Sequence, residues 1–244
     1  GIMQNSLFPA EQYVENLKIG THLMESAWRY QVEKYVQIGT VCSYPMYGDM
    51  PMREENFWDG YPEETNSAYG MAKKILVVQA QAYAKQFGFN VICPILANLY
   101  GPGDNFYTDK GHVIPSMIRK FFDAVDLEHP AVTLWGTGKC TREFLYVEDA
   151  ADAIKFLHEN LISPDVINVT SGHEISIKDL AEMVASLCGF KGDIKWDASK
   201  PDGQPRRSFD SSKMAKLGWN AKTTFAEGLI QSVEDCKKRR KRNG

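Results

Sequence analysis

A tyrosine and a lysine lie four residues apart in the segment SAYGMAKK, residues 67–74. If this segment is helical, Tyr69 and Lys73 share one face of the helix. A nearby ammonium group lowers the pKa of a phenol, so such a tyrosine can exchange a proton with a substrate. The lysine can also bind a ribose hydroxyl. Alone the pattern is weak, because the same two residues can form a solvent-exposed pair on an amphipathic helix.

A hydroxyl group upstream strengthens the chemical interpretation. The β-rich residues 34–41 lead into the sequence GTVCSYP, residues 39–45. Ligands of open α/β sheets bind at the carboxyl ends of the strands. We therefore expect Thr40 to lie near the start of the helix and to hydrogen-bond the same substrate oxygen as Tyr69.

The elements that would position these groups alternate between strand and helix. Residues 90–100 are almost continuously apolar, as is typical of a buried parallel strand. The order of strand, helix and strand predicts a right-handed parallel unit. The predicted helices cover residues 9–31, 67–88, 112–125, 147–160, 176–188 and 224–240, and further short strands cover 131–135, 166–170 and 193–196. The pattern predicts an α/β protein in which one open parallel sheet is followed by a smaller mixed domain.

Composition excludes several other classes of protein. The chain has 244 residues, 43% of them hydrophobic, and a net charge of −3. It has no apolar run near the ~18 residues that a membrane helix needs. Its five cysteines show no CxxC spacing, so we expect free thiols in the cytoplasm, no metal site and no disulfide framework. The basic residues 237–242 could contact nucleic acid, but in an acidic chain they more simply form the end of the last helix, and we expect no nucleic-acid partner.

Six sequence blocks, in order along almost the whole chain, resemble the extended short-chain dehydrogenases/reductases, in particular their sugar-nucleotide epimerase group. The blocks are GTVCSYP, SAYGMAKK, NLYGPGDNF, GHVIPSMIRKF, LWGTGKCTREFLYVEDAA and DASKPDGQPRRSFD. They are most similar to enzymes that epimerise a GDP-4-keto-6-deoxy sugar at C3 and C5 and reduce it at C4. The resemblance implies an NADP cofactor, with NAD possible, a GDP-linked sugar substrate and a homodimer. It also implies a partial Rossmann domain in residues 1–107 and a mainly substrate-binding domain in residues 108–244, with some chain returning to the sheet.

The resemblance implies a role for each candidate catalytic residue. Tyr69 would protonate the C4 oxygen while Lys73 binds the cofactor ribose. Thr40 stands where the group usually has serine. Cys42 and His112 would exchange the protons of epimerisation, because thiol and imidazole groups ionise closer to neutral pH than most side chains. Alternatives from the residues alone are a buried, inert Cys42 and a helix-capping His112.

The resemblance also implies two sets of binding residues. Those for the cofactor are Gly39, Thr40, Tyr69, Lys73, Leu96, Ala97, Asn98, Leu99 and His112. Those for the substrate are Asn98, Val113, Lys120, Trp135, Arg142, Asp202 and Arg207. Arg142 offers a forked donor for a diphosphate and Trp135 a flat surface for a base. Alternatively, Trp135 is part of the core and Arg142 forms a surface ion pair. Lys120 stands where the group has arginine, and Arg207 where it has lysine.

One signature of the group is missing from this sequence. The glycine-rich turn that seats a dinucleotide pyrophosphate at a helix N-terminus does not occur with the required spacing. We therefore expect the first strands of the sheet and the glycine loop to be absent and, if the chain is really this short, the affinity for NADP to be poor. This leaves three functional hypotheses: an epimerase/reductase, an enzyme that performs one of the two reactions, or a non-catalytic fragment that binds a nucleotide sugar.

Overall fold

The computed structural model describes residues 5, 7–106, 111–200 and 202–243. The first sheet is parallel and has strand β3 (Val91–Leu96) at its centre. Strands β1 (Tyr35–Val36) and β2 (Gly39–Thr40) pair with β3 in one continuous register, and β7 (Val166–Val169) also pairs with it. All six residues of β3 are buried. The predicted α/β class and the buried parallel strand are therefore confirmed.

Two long helices pack against each other beside this sheet. Helix α1 (Pro9–Arg29) and helix α2 (Ser67–Phe87) match the predicted helices to within two residues. Trp28 of α1 stacks on Phe87 of α2, with ring centroids 4.2 Å apart. Helix α2 ends at Gly88, whose φ of 65° is readily adopted by glycine.

The predicted strand over residues 90–100 is two strands in two different sheets. Beyond β3, strand β4 (Asn98–Tyr100) pairs in parallel with β6 (Thr141–Tyr146) of a second sheet. Ala97 lies between them and donates its backbone N–H to Val169 of the first sheet at 3.0 Å. The apolar run continues through this change of partner, so the hydrophobic pattern did not reveal the division.

The second sheet is built around β6 and carries elements that are not among the predicted ones. Strand β10 (Arg206–Arg207) pairs with β6 in parallel, and β8 (Glu174–Ser176) pairs with it antiparallel. A separate parallel pair joins β5 (Ala131–Trp135) to β9 (Asp193–Asp197). The remaining helices are α3 (Val113–Asp126), α4 (Val147–Asn160), α5 (Ile177–Cys188), α6 (Ser212–Leu217) and α7 (Phe225–Asn243). The predicted domain boundary at residues 107–108 lies outside the described residues and stays a prediction.

The basic C-terminal segment is partly used inside the protein. Arg240 of α7 forms ion pairs with Asp123 and Asp126, at 2.6 and 2.5 Å. Arg239 pairs with Asp235 at 3.0 Å. Arg240 therefore fastens α7 to α3, whereas the Arg239 pair lies within α7. Residues 237–242 form the end of the last helix, and the expectation of no nucleic-acid partner stays a prediction.

Within the described residues, no helix combines the length and the apolarity that crossing a bilayer requires. The same residues contain no group of three or more His, Cys, Asp or Glu side chains suited to a metal ion. All five cysteines are free.

Candidate active site

The structure brings Thr40, Cys42 and Tyr69 together. Thr40 ends β2, and its Oγ1 accepts a hydrogen bond of 3.2 Å from the backbone N–H of Cys42. This contact begins a 3₁₀ turn over Val41–Ser43, which we call the Cys42 turn. Tyr69 lies in the first turn of α2, and its hydroxyl is close enough to the Thr40 side chain for Thr40 to influence its pKa. We call Thr40, Cys42, Tyr69 and Lys73 the tyrosine half of the site.

Gly70 explains why helix α2 can approach the Cys42 turn so closely. A Cβ atom at Gly70 would overlap the carbonyl oxygen of Cys42, which is backbone and cannot move aside alone. The hydroxyl of Ser43 donates to the carbonyl of Gly70 at 2.9 Å and fastens the two segments together. The glycine inside the segment SAYGMAKK therefore places Tyr69 beside Thr40 and Cys42, a role that its position in the motif did not reveal.

Burial controls the protonation of the two residues on α2. It is the main cause of the raised pKa of Tyr69; the nearby Cys42 raises this pKa further, and the hydrogen bond with Thr40 opposes the shift. Burial lowers the pKa of Lys73. Lys73 is not among the groups that shift the pKa of Tyr69, so the structure does not reproduce the expected lowering by the lysine. Tyr69 therefore holds its proton at neutral pH, as a proton donor must.

Two arginines lie side by side on the second sheet, and one of them reaches the Cys42 turn. Arg142 of β6 and Arg207 of β10 are register partners on adjacent parallel strands, which places their side chains on one face of the sheet. Arg142 Nη1 donates to the carbonyls of Thr141 and Gln204, both at 2.7 Å. Arg207 Nη2 donates to the carbonyl of Val41 at 2.7 Å. We call this pair the arginine half of the site.

Neither arginine has the environment of an exposed ion-pair partner. Burial lowers the pKa of Arg142, the neighbouring Cys140 opposes this shift, and the charge of Arg207 adds to it. Arg207 is 8% exposed, and its Nε is buried without a hydrogen-bond partner in the part of the chain that the structure describes. Two adjacent cations with a spare buried donor form a natural anion site.

Two further substrate candidates, Trp135 and Asp202, lie around the turn that follows β5. Trp135 is 54% exposed, so it is not a core residue, and Lys200 Nζ lies 5.8 Å from its ring centroid. The carboxylate of Asp202 accepts from the backbone N–H and the hydroxyl of Thr137, at 2.6 and 2.7 Å. These hydrogen bonds lower the pKa of Asp202. Asp202 thus already binds the turn at residues 136–138, which sequence reasoning did not anticipate.

The cofactor candidates at the ends of β2 and β3 are held largely by packing. Leu96 and Ala97 are buried, Leu99 is 37% exposed, and a Cβ atom at Gly39 would overlap the Ile95 side chain. Asn98 is partly buried and donates its side-chain N–H to the carbonyl of Glu143 at 3.0 Å. This bond connects the adjacent strands β4 and β6.

The structure does not join His112, Val113 or Lys120 to the tyrosine half through any hydrogen bond between described residues. His112 is exposed at the N-cap position of α3, where its side chain makes no capping hydrogen bond. Val113 begins the same helix and Lys120 is exposed further along it. Cys42, in contrast, is partly buried, whereas the other four cysteines are buried. The interpretation of Cys42 as an inert core residue therefore fits it less well than it fits the others.

Sequence reasoning also missed Glu143, next to Arg142. Its side chain is 3% exposed, and burial raises the pKa of its carboxyl group. It accepts hydrogen bonds from the hydroxyl of Thr170 and from the backbone N–H of Phe209, the latter at 2.9 Å. The available signal was a charged residue directly before the apolar residues 144–146 of β6, because buried carboxyl groups normally have dedicated partners.

Comparison with known proteins agrees with this architecture. The NAD dependent epimerase/dehydratase family model matches residues 1–170. "Probable GDP-L-fucose synthase 1" of Oryza sativa subsp. japonica is 42% identical over 235 residues, covering 96% of this chain and 72% of that protein.

Two solved structures are also similar. One is a GDP-6-OMe-4-keto-L-xylo-heptose reductase from C. jejuni, with TM-score 0.90 and 29% identity over 96% of this chain and 79% of that chain. The other is a GDP-L-fucose synthetase from Naegleria fowleri bound to NADP, with TM-score 0.88 and 27% identity over 96% and 75%. The chain therefore belongs to the NAD dependent epimerase/dehydratase family, within which its relatives include GDP-L-fucose synthases.

Proposed function

We propose that this protein is an NADP-dependent epimerase/reductase that inverts C3 and C5 of a GDP-4-keto-6-deoxy sugar and reduces its C4 ketone. The observation that carries the proposal is the close contact of Gly70 with the Cys42 turn, which places Tyr69 beside Thr40 and Cys42. The GDP-L-fucose synthase relatives and the GDP-sugar reductase fold support the same reaction.

The residues of the tyrosine half fit the nicotinamide riboside end of the cofactor. Lys73 is partly buried, and burial lowers its pKa, with no carboxylate among the described residues opposing this shift. A desolvated ammonium group without an anionic partner is well suited to ribose hydroxyls. When bound, the nicotinamide supplies the hydride that reduces the ketone. The choice of NADP rests on the NADP-bound structure of the Naegleria fowleri relative.

In the reduction, Tyr69 donates its phenolic proton to the C4 oxygen as the ketone becomes an alcohol. Its raised pKa keeps the proton in place until the oxygen becomes basic. Thr40 lies beside the phenol and favours its ionised form, which eases release of the proton. Lys73 lies four residues away on α2, where its ammonium group would bind the cofactor ribose.

In the epimerisation, Cys42 and His112 exchange protons with the sugar carbons. The C4 ketone makes the hydrogens at C3 and C5 acidic. One residue removes a proton, the C–H electron pair moves into an enolate, and the other residue returns a proton to the opposite face of the ring. No net oxidation occurs in this step. The partly buried Cys42 lies beside Tyr69, so one substrate carbonyl can serve both reactions.

The nucleotide end of the substrate fits the arginine half. Arg142 and Arg207 present two guanidinium groups on one face, and forked donors suit the oxygens of a diphosphate. Trp135 offers an exposed ring for the base, and Asp202 fixes the turn next to it. Lys120, Val113 and Asn98 remain candidates for further contacts.

Two further properties belong to this proposal. Exposed apolar side chains on α1 and α2, namely Val14, Ile19, Leu23, Ile75 and Val78, support a homodimer formed through these helices. Sedimentation of the protein as a monomer at micromolar concentration would contradict it.

The five free cysteines support a cytoplasmic location, because reducing compartments keep thiols free. Cell fractionation tests this.

The function is tested with GDP-4-keto-6-deoxymannose and NADPH in D2O. We expect oxidation of NADPH together with incorporation of deuterium at C3 and C5. Replacing Cys42 by serine should slow the exchange more than it slows hydride transfer. Reduction without exchange, or exchange without reduction, would limit the enzyme to one reaction. GDP binding by calorimetry with neither reaction would identify a non-catalytic nucleotide-sugar binder and end the proposal.

A further inference from the structure

Arg207 connects the two halves of the site. It lies on β10 of the second sheet, yet its Nη2 donates to the carbonyl of Val41, the first residue of the Cys42 turn, at 2.7 Å. The two residues are 166 positions apart in the chain. A side chain from the substrate-binding region therefore contacts the backbone that positions Cys42.

The neighbouring Arg142 has the same type of side chain but donates hydrogen bonds to different carbonyl groups. It donates to Thr141 and Gln204, which belong to the second sheet and to the segment before β10. Among its hydrogen bonds to described residues, none reaches the Cys42 turn. Arg142 therefore holds the arginine half together, whereas Arg207 also reaches across to the tyrosine half.

The Cys42 turn has contacts from both sides. Thr40 Oγ1 accepts from the N–H of Cys42, and Ser43 donates to Gly70 of α2, so these two contacts belong to the first sheet and its helix. The hydrogen bond of Arg207 to Val41 comes from the second sheet. A substrate held by the arginines is thus placed relative to Cys42 partly through Arg207.

The guanidinium of Arg207 has a donor to spare. Its Nε is buried without a hydrogen-bond partner in the described part of the chain, and the residue is 8% exposed. A buried unpaired donor is destabilising until an acceptor reaches it. The planar fork allows Nη2 to keep the Val41 carbonyl while Nε binds a second oxygen in the same plane.

We propose that Arg207 is a positioning residue that couples diphosphate binding to the placement of Cys42. In this arrangement Nε binds an oxygen of the substrate diphosphate while Nη2 holds the Cys42 turn. The inference rests on the proposed function, because it takes Cys42 as a proton-exchange residue. The proposal gives the two arginines different roles. Both bind the diphosphate, but only Arg207 also affects epimerisation.

The test compares Arg207→Met with Arg142→Met. Both changes remove a guanidinium and keep an unbranched side chain. Deuterium exchange at C3 and C5 is measured at saturating GDP-keto sugar without NADPH, and reduction is measured with the epimerised keto sugar supplied directly.

We expect both variants to raise KM. We expect Arg207→Met to lower the ratio of exchange to reduction by roughly tenfold or more, since small displacements of reacting groups are costly, and Arg142→Met to leave that ratio unchanged. Arg207→Lys, which keeps one charged donor, should recover part of the exchange.

A second measurement does not depend on catalysis. Cys42 is partly buried while the other four cysteines are buried, so a small alkylating reagent should modify Cys42 first. Saturating GDP should change this alkylation rate in the wild type and in Arg142→Met, and the change should be lost in Arg207→Met. An equal ratio of exchange to reduction in Arg207→Met and Arg142→Met would overturn the inference. So would the finding that GDP does not change the alkylation rate of Cys42 in the wild type. Absence of both exchange and reduction in the wild type would instead refute the proposed function.

Discussion

The tyrosine half and the arginine half of the site are held in different ways. Thr40, Cys42 and Tyr69 sit where helix α2 meets the Cys42 turn through direct backbone contact at Gly70. Arg142 and Arg207 instead extend long side chains from adjacent strands and rest on backbone carbonyls. A close backbone contact holds the reacting groups of the tyrosine half in accurate positions. Long cationic side chains with spare donors can adjust to a bound anion.

The neighbour of Arg142 helps to support the arginine half. Glu143 accepts from the backbone N–H of Phe209, two residues after Arg207, and from Thr170, which follows β7 of the first sheet. Asn98 donates to its carbonyl. The arginine half thus depends on a buried polar network, whereas the tyrosine half depends on a steric fit.

The largest expected effect is in the tyrosine half. Tyr69→Phe removes the proposed proton donor and should lower the rate of reduction by about 10²–10⁴-fold, the usual contribution of general acid catalysis. Deuterium exchange at C3 and C5 should change little, because Cys42 is untouched, and so should the affinity for GDP, because the arginine half is untouched. Tyr47→Phe is the matched control, since Tyr47 is 80% exposed. Equal losses of reduction, exchange and GDP affinity would show that the two halves cannot be separated.

The next effect tests the steric fit. Gly70→Ala should destabilise the protein by about 1–3 kcal/mol, the usual cost of overpacking, because its Cβ overlaps the carbonyl of Cys42. Urea unfolding measures the change, and reduction should fall with it as Tyr69 moves from Thr40. In Gly48→Ala the new Cβ meets a single neighbouring atom at an ordinary 3.6 Å, so this control should keep wild-type stability. Unchanged stability and reduction in Gly70→Ala would show that the close contact does not position the site.

The smallest effect concerns the polar network. Burial raises the pKa of Glu143 in the folded state, so the unfolded chain releases this proton at lower pH. The contribution of Glu143 to stability is therefore largest below the ordinary glutamate pKa and falls as pH rises through the folded pKa. The unfolding free energy of the wild type, relative to that of Glu143→Gln, should decrease as the pH rises from the ordinary glutamate pKa to the raised pKa of the folded state. Glu182→Gln on the exposed side of α5 serves as the control, and a difference that rises with pH would contradict the burial argument.

Much of the local architecture followed from the sequence. Helices α1 and α2 and the buried strand β3 came from periodicity and backbone preference, which act over a few residues. The structure adds the detail at the start of α2, where Asn66 is the N-cap and the hydroxyl of Ser67 donates back to the carbonyl of Glu64 at 3.0 Å. The division between β3 and β4 was missed because both strands continue one apolar run.

By itself, the sequence determined the chemical groups and their order: a tyrosine one helical turn before a lysine, a threonine and a cysteine at a strand end, and two arginines in later blocks. The tertiary structure decided which of them meet. In the tertiary structure Gly70 packs against the carbonyl of Cys42, and Arg207 donates a hydrogen bond to the carbonyl of Val41. Asp202 accepts hydrogen bonds from the turn after β5, and His112 is exposed at the start of a helix. The physical reason is distance along the chain, because hydrophobic patterns specify which faces are buried, whereas a contact between residues 166 positions apart depends on strand pairing and close packing.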